Sequence, residues 1–165
     1  MPSSPRFLGI DPGTKRLGFG VVEKVSGALR LVDAGIVEVH GTSQAEVLHE
    51  ISKGLAELIT RHRPTAAAIE KLYFSKNQRT ALGVAEARGV ALLALRTAGL
   101  PFTEFTPNEV KLGVTGYGSA DKAAVQKMVR LVLKEPMLKV VDDASDALAL
   151  AILAAGRVNY PQAGN

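Results

Sequence analysis

The stretch Phe7-Leu8-Gly9-Ile10-Asp11-Pro12-Gly13-Thr14-Lys15-Arg16-Leu17-Gly18-Phe19-Gly20 decides how the rest of the chain is read. An apolar run ends in a carboxylate, a Pro-Gly pair turns the chain, and a second apolar, glycine-rich run follows. That order predicts strand, tight turn, strand. Asp11 then stands at a strand end. A carboxylate is costly inside a core but useful at the open end of a strand, where the sites of α/β sheets gather. It equally suits the first position of an Asx-type turn, so the rest of the chain must separate the two readings.

Outward from that stretch, residues 17–25 and 29–39 alternate as strands do, with Ser26-Gly27 between them as a hairpin turn. Three antiparallel strands therefore open the fold. Across residues 43–63, Val47, Leu48, Ile51, Leu55, Leu58 and Ile59 recur at helical spacing until Pro64 stops the pattern. Ala66-Ala67-Ala68-Ile69-Glu70 follows, a short run predicted as a buried parallel strand, with a second carboxylate at its end. Residues 72–77 read as a loop with two aromatics and a lysine, and 78–98 as a long Ala- and Leu-rich helix interrupted by Gly83 and Gly89. A fifth strand is expected over 101–105, then Thr106 as a helix N-cap with Pro107 at the first helical position. Residues 113–118 are glycine-rich and expected to be flexible. Ser119 is expected to cap a helix that runs through Lys134, carries Val125, Met128, Val129 and Val132 on one face, and stops before Pro136. A last helix is predicted from about Asp143 to Ala155, with Gly156 as its stop. The whole predicts an α/β fold: a mixed five-stranded sheet flanked by helices.

The 165 residues, 47% of them apolar, suit one domain spanning 1–165 and are too few for two ordinary ones. The absence of cysteine excludes a disulfide framework and thiolate metal sites, so any metal is held by oxygen or imidazole. No signal-peptide segment opens the sequence, and the longest apolar run, residues 147–155, is far short of the ~20 residues of a membrane span. A soluble cytoplasmic protein is expected. The formal charge is +4, unevenly spread: between Lys71 and Lys139 eleven Lys and Arg face five Asp and Glu, a local +6 that leaves −2 elsewhere. A basic middle beside acidic motifs suggests a polyanion held against an acidic site, although solvated helix faces produce the same count. His40, His49 and His62 lack ligand-like spacing and are read as surface or helix-end residues without a role.

Asp142-Asp143-Ala144-Ser145-Asp146 is the third acidic element. Asp143 and Asp146 are three apart and share one face of a helix's first turn, where acids also serve as caps and dipole partners. Taken jointly, two acids ending strands and two on a helical turn could converge at one edge of the sheet. Unit charges ~4 Å apart at an effective dielectric of ~20 repel by about 4 kcal/mol per pair, so such a cluster implies cations. Hard carboxylate oxygens select Mg²⁺ or Mn²⁺. Four carboxylates balance two divalent ions, the arrangement that activates water and stabilises a leaving oxygen at phosphorus.

Gly9-Ile10-Asp11-Pro12-Gly13, Ala68-Ile69-Glu70, Ala87-Arg88-Gly89-Val90-Ala91, Gly116-Tyr117-Gly118-Ser119-Ala120-Asp121-Lys122 and Asp143-Ala144-Ser145-Asp146-Ala147-Leu148-Ala149 occur in that order. With these five motifs the sequence closely resembles the RuvC family of Holliday-junction resolvases over nearly its whole length. The resemblance implies a ribonuclease H-like fold and a homodimer. It implies Mg²⁺-dependent paired nicking of four-way DNA junctions in recombination and repair, two ions per subunit with Mn²⁺ as a substitute, beside a branch-migration motor. It also implies ligatable ends and a preference for short sequences at the crossover. By the same resemblance Asp11, Glu70, Asp143 and Asp146 match the family's metal-binding acids, His being allowed at the position of Asp143. Lys111 and Lys122 match lysines near the family's active site, where a cation can hold the scissile phosphate. Tyr73 matches the aromatic that stacks on an unpaired base, with Phe74 directly after it as the rival ring. Lys76 and Arg79 resemble phosphate contacts.

Three other readings stand beside this one. Asp11-Pro12-Gly13-Thr14 also resembles the phosphate loop of sugar-kinase and actin-like ATPases, which use two related domains where this chain has room for one. A non-catalytic junction-binding module would not need all four acids. A related group of putative resolvases shares a turn like Lys15-Arg16-Leu17-Gly18, but the later motifs match it less well.

Overall fold

The computed structural model describes residues 4–72 and 78–157, with Gln78 and Arg79 described in the backbone only. Tyr73, Phe74 and Lys76 lie outside the described residues, as does the side chain of Arg79. The first three strands, β1 (Arg6–Pro12), β2 (Arg16–Val25) and β3 (Ala28–Glu38), form the expected antiparallel meander. At its second corner Ser26 and Gly27 both take positive φ, 50° and 84°, as a two-residue hairpin turn requires. Helix α1 (Gln44–His62) leads back to β4 (Ala66–Glu70), which pairs parallel to β1 with Ile10 opposite Ile69. Helix α2 (Gln78–Thr97) then leads to β5 (Phe102–Phe105), parallel to β4. The sheet order is β3-β2-β1-β4-β5. Helices α3 (Pro107–Thr115), α4 (Lys122–Leu133) and α5 (Asp142–Arg157) complete the described chain.

The pleat divides the sheet into two faces with separate cores. Leu8, Ile10, Leu17, Phe19, Val21 and Ile69 pack with Ile51, Leu55 and Leu95 on the side of α1 and α2. Phe7, Val22, Ala68 and Phe105 pack with Val125, Val129, Leu148 and Leu150 on the side of α4 and α5. The alternation within β1 places Asp11 on the same face as Phe7 and Gly9, and within β4 it places Glu70 with Ala66 and Ala68. Both strand-end acids therefore look toward α5. That helix is enclosed between the sheet and helices α3 and α4, which is why it is built from alanine and leucine, and why even Ser145 on it is buried.

Three local expectations are corrected. Residues 113–115 do not belong to a loop: Gly113 lies inside α3, against Leu153, and Gly116 closes that helix with φ 83°. The cap of α4 is Asp121, whose side chain accepts a hydrogen bond from the Ala124 amide at 2.8 Å, not Ser119. Gly156 does not stop α5, which continues to Arg157. His62 stands at a helix end, as expected, and is buried there with Nε2 3.0 Å from Asp33 Oδ2, an approach too oblique to be a hydrogen bond.

Candidate active site

The geometry of the acids follows from register. Asp11 pairs with Gly18 on one side, and the parallel register that sets Ile10 beside Ile69 continues to set Asp11 beside Glu70. Facing them, α5 begins with Asp142 and Asp143 and carries Asp146 one turn on. Three glycines bring helix and sheet this close: a Cβ on Gly9 would overlap the Ala147 carbonyl, one on Gly18 the Asp143 carbonyl, and one on Gly20 the Leu148 backbone. Strand and helix touch through their backbones. From α3 and α4 come Lys111 and Lys122, and Glu70, Lys111, Lys122 and Asp146 line one cleft of about 250 Å³, walled by Val110 and Val125. The structure thus brings together all four predicted acids and both predicted lysines.

Burial and mutual repulsion leave this cluster poised to take up cations. Burial, with the charges of Asp146, Glu70 and Asp143, raises the Asp11 pKa from its ordinary 3.8 to about 7. Glu70 is likewise raised, by burial and then Asp146, against the pull of Lys111 and Lys122. Asp146 is raised by burial, with Asp142 and Asp143 adding to it and Lys122 opposing. Lys122 bonds Asp146 at 3.2 Å and Asp142 at 3.3 Å; burial lowers its pKa, but these carboxylates outweigh burial and the net shift is upward. Oxygen donors crowded until they resist ionisation are the right chemistry for a hard divalent ion. As placed, however, no three Asp, Glu or His side chains among the described residues are gathered around a single ion position. Two of the acids are held by neighbours instead: Asp143 by Arg16 and Asp146 by Lys122.

Two arginines and one acid at the site had not been assigned a role from sequence. Arg16, the first residue of β2, forms the ion pair with Asp143. Arg88 of α2 donates from Nε to the Glu70 carbonyl at 3.0 Å and pairs with Glu104 of β5, so it ties the end of β4 to its neighbours. An arginine among the alanines of a mostly apolar helix was the signal available for it. Asp142 shares Lys122 and accepts from Gln126 Nε2 at 3.2 Å.

The acids give a pH signature to protein stripped of divalent ions. Between about pH 4 and 7 the native Asp11 keeps a proton that the unfolded chain has lost, so the native state binds more protons and stability falls as pH rises through that window. At about 1.4 kcal/mol per pKa unit the loss is on the order of 2–4 kcal/mol. Melting in EDTA should therefore drop by roughly 5–10 °C from pH 5 to pH 8. Asp11→Asn should remove most of that drop; an equal drop in wild type and variant would place its source elsewhere.

A mixed sheet in this order, with strand-end carboxylates facing a helix that bears two more, defines a ribonuclease H-like fold with an acidic, nuclease-type site. The chain belongs to the RuvC family: the family model for crossover junction endodeoxyribonuclease RuvC matches residues 7–154. Crossover junction endodeoxyribonuclease RuvC of Chloroflexus aggregans is 53% identical over 89% of this chain and 90% of its own length. That of Roseiflexus sp. is 51% identical over 91% and 90%. The structure of Thermus thermophilus RuvC in complex with a Holliday junction substrate superposes with a TM-score of 0.84 at 33% identity, covering 94% of this chain and 96% of that one.

Proposed function

We propose that this chain is one nuclease domain of a homodimeric, structure-selective endonuclease that resolves four-way DNA junctions by paired, metal-dependent hydrolysis of phosphodiesters. The observation that carries the reading is the meeting of Asp11, Glu70, Asp143, Asp146, Lys111 and Lys122 at one end of the sheet. Asp11, Glu70, Asp143 and Asp146 are the residues that would hold Mg²⁺, two ions per subunit, or Mn²⁺ in its place. Bound there, the ions supply an activated water and charge neutralisation at the leaving oxygen. Lys111 and Lys122, which share the cleft with Glu70 and Asp146, hold the scissile phosphate against the acids and offset its charge. A cytoplasmic setting and a branch-migration motor as partner complete the reading; among the described residues no helix is long and apolar enough to cross a membrane.

Purified protein incubated with a synthetic four-way junction and a matched linear duplex, with and without Mg²⁺, tests substrate, reaction and metal together. Symmetric nicks in the junction alone, only with Mg²⁺, are expected. Binding of the junction without any nicking would favour the non-catalytic module instead.

Helix α2 is the proposed dimer element. Leu82 and Leu93 are 68% and 66% exposed on it, an unusual display for large apolar side chains, and Ala85 is half-buried nearby. Gly89 has open space around it, whereas Gly83 faces Thr14 of the same chain and so is not available for a partner. A two-fold axis through this helix puts two sites on one junction, as paired nicking requires. Leu93→Asp should weaken dimerisation by on the order of 2 kcal/mol, about 30-fold, and uncouple the two nicks. Sedimentation velocity at micromolar concentration checks the first and a cruciform-plasmid assay the second.

The aromatic pair Tyr73 and Phe74, three and four residues after Glu70 in sequence, is proposed to read the crossover by stacking on a base that has lost its partner, with Lys76 and Arg79 on phosphates. Stacking contributes about 1–3 kcal/mol per base, so Tyr73→Ala should lower junction cleavage by roughly 5- to 150-fold while Tyr73→Phe changes little. Junctions carrying 2-aminopurine at the crossover report the unstacking. If Phe74→Ala alone abolishes cleavage and fluorescence change, the stacking ring is Phe74.

A further inference from the structure

Asp143 is the acid whose charge is already matched inside the protein. Arg16 and Gly18 lie on the same face of β2, and the bare Gly18 lets that strand run against the backbone of Asp143. Two residues away, the Arg16 side chain therefore reaches the first turn of α5 and pairs with the Asp143 carboxylate. The two side chains are 49% and 28% exposed, so neither is locked in by packing. Guanidinium stays charged at any working pH, so deprotonation cannot free the carboxylate. Directly across the strand pair from Arg16 stands Glu38 of β3, an exposed acid with His40 Nε2 3.9 Å from its carboxylate. A guanidinium leaving Asp143 has a second carboxylate within cross-strand reach.

We propose that Arg16 is a built-in counter-ion of the site, which occupies Asp143 until a divalent cation displaces it and thereby sets the affinity of the ion that uses this carboxylate. The inference rests on the reading of the four acids as metal ligands. Lys122 plays a related part at Asp146, but it is shared with Asp142 and already belongs to the cleft, whereas the Arg16 pair involves Asp143 alone among the acids of the site. The exchange explains why acids so close together are not gathered around one ion position. Divalent binding begins with breaking an ion pair, and the arginine is displaced sideways toward Glu38 rather than into solvent.

Titration of Mn²⁺ into DNA-free protein, followed by the electron paramagnetic resonance of the free ion, tests this without any turnover. An opposite charge in contact typically biases a carboxylate by one to three powers of ten, and for a half-exposed pair we expect Arg16→Gln to tighten one step of Mn²⁺ binding about tenfold. Arg16→Lys, which keeps the charge, should tighten it by much less. The effect must run through Asp143, so in an Asp143→Asn background Arg16→Gln should change nothing. Identical isotherms for wild type and Arg16→Gln, or a tightening that persists with Asp143→Asn, would overturn the proposal. Wild-type protein that binds no Mn²⁺ at all would overturn the metal-site reading itself, a result distinct from the other two.

Discussion

Asp11→Asn or Glu70→Gln is expected to slow junction cleavage by about 10³-fold or more, several kcal/mol of transition-state stabilisation, while junction binding persists. Each change keeps the shape of the side chain and removes one negative charge from the centre of the cluster. Asp11 sits beside Glu70 and within the electrostatic reach of Asp146 and Asp143, so no other described acid can take its place between them. Binding should survive because it draws on cations that the substitution leaves intact, among them Lys111 and Lys122. Unfolding cannot account for the loss: removing a buried charge, and with it the repulsion of its neighbours, which together raise the Asp11 pKa to about 7, makes metal-free Asp11→Asn more stable at pH 8, not less. Single-turnover cleavage and gel-shift binding on one junction separate the two effects. Cleavage at near the wild-type rate in either variant would remove that acid from the reaction.

The acids were legible because their placement obeys local rules. An apolar run that stops at a carboxylate occurs twice, and period-two alternation already puts Asp11 and Glu70 on defined faces of their strands. The pair on α5 was legible as a spacing but not as a function, since Asp143 in a first turn serves a helix dipole as well as it serves a cation. What separated the two was tertiary: the backbone of β2 against α5, and Lys122 arriving from α4. Arg16 and Arg88 escaped for the same reason, because a long side chain finds its partner across elements that no local pattern relates. Gly113 was misread from composition: in α3 its missing side chain makes room for Leu153, a packing need that looks like flexibility when only the neighbours in sequence are known. His62 was legible as a helix-end residue, but not its burial beside Asp33 of β3, far from it in the chain.

Gly18→Ala should separate the building of the site from the stability of the fold, with Gly9→Ala as the harsher companion. In the middle of β1, a methyl on Gly9 would overlap the Ala147 carbonyl and stand 2.6 Å from the Ala151 amide nitrogen. Those are backbone atoms of a helix enclosed on both sides, and no rotamer change can clear them. Over-packing of this kind is expected to destabilise by about 3 kcal/mol or more, lowering the melting temperature by roughly 6–12 °C. At Gly18 the clash is with the backbone and Cβ of Asp143, at the open first turn of the same helix, which can tilt away for about 1–2 kcal/mol. The tilt carries Asp143 and Asp146 away from Asp11 and Glu70. A displacement of ~1 Å in a reacting constellation can lower a rate by about 10²-fold, so Gly18→Ala should lose far more cleavage than stability. Gly35→Ala is the control, since its methyl would meet the ring edge of Phe19 at 3.2 Å, a side chain that can yield slightly without moving α5. If Gly18→Ala cleaves junctions as fast as Gly35→Ala does, the contact between β2 and α5 is not what positions the helix acids, and Arg16 and Lys122 must hold them in place instead.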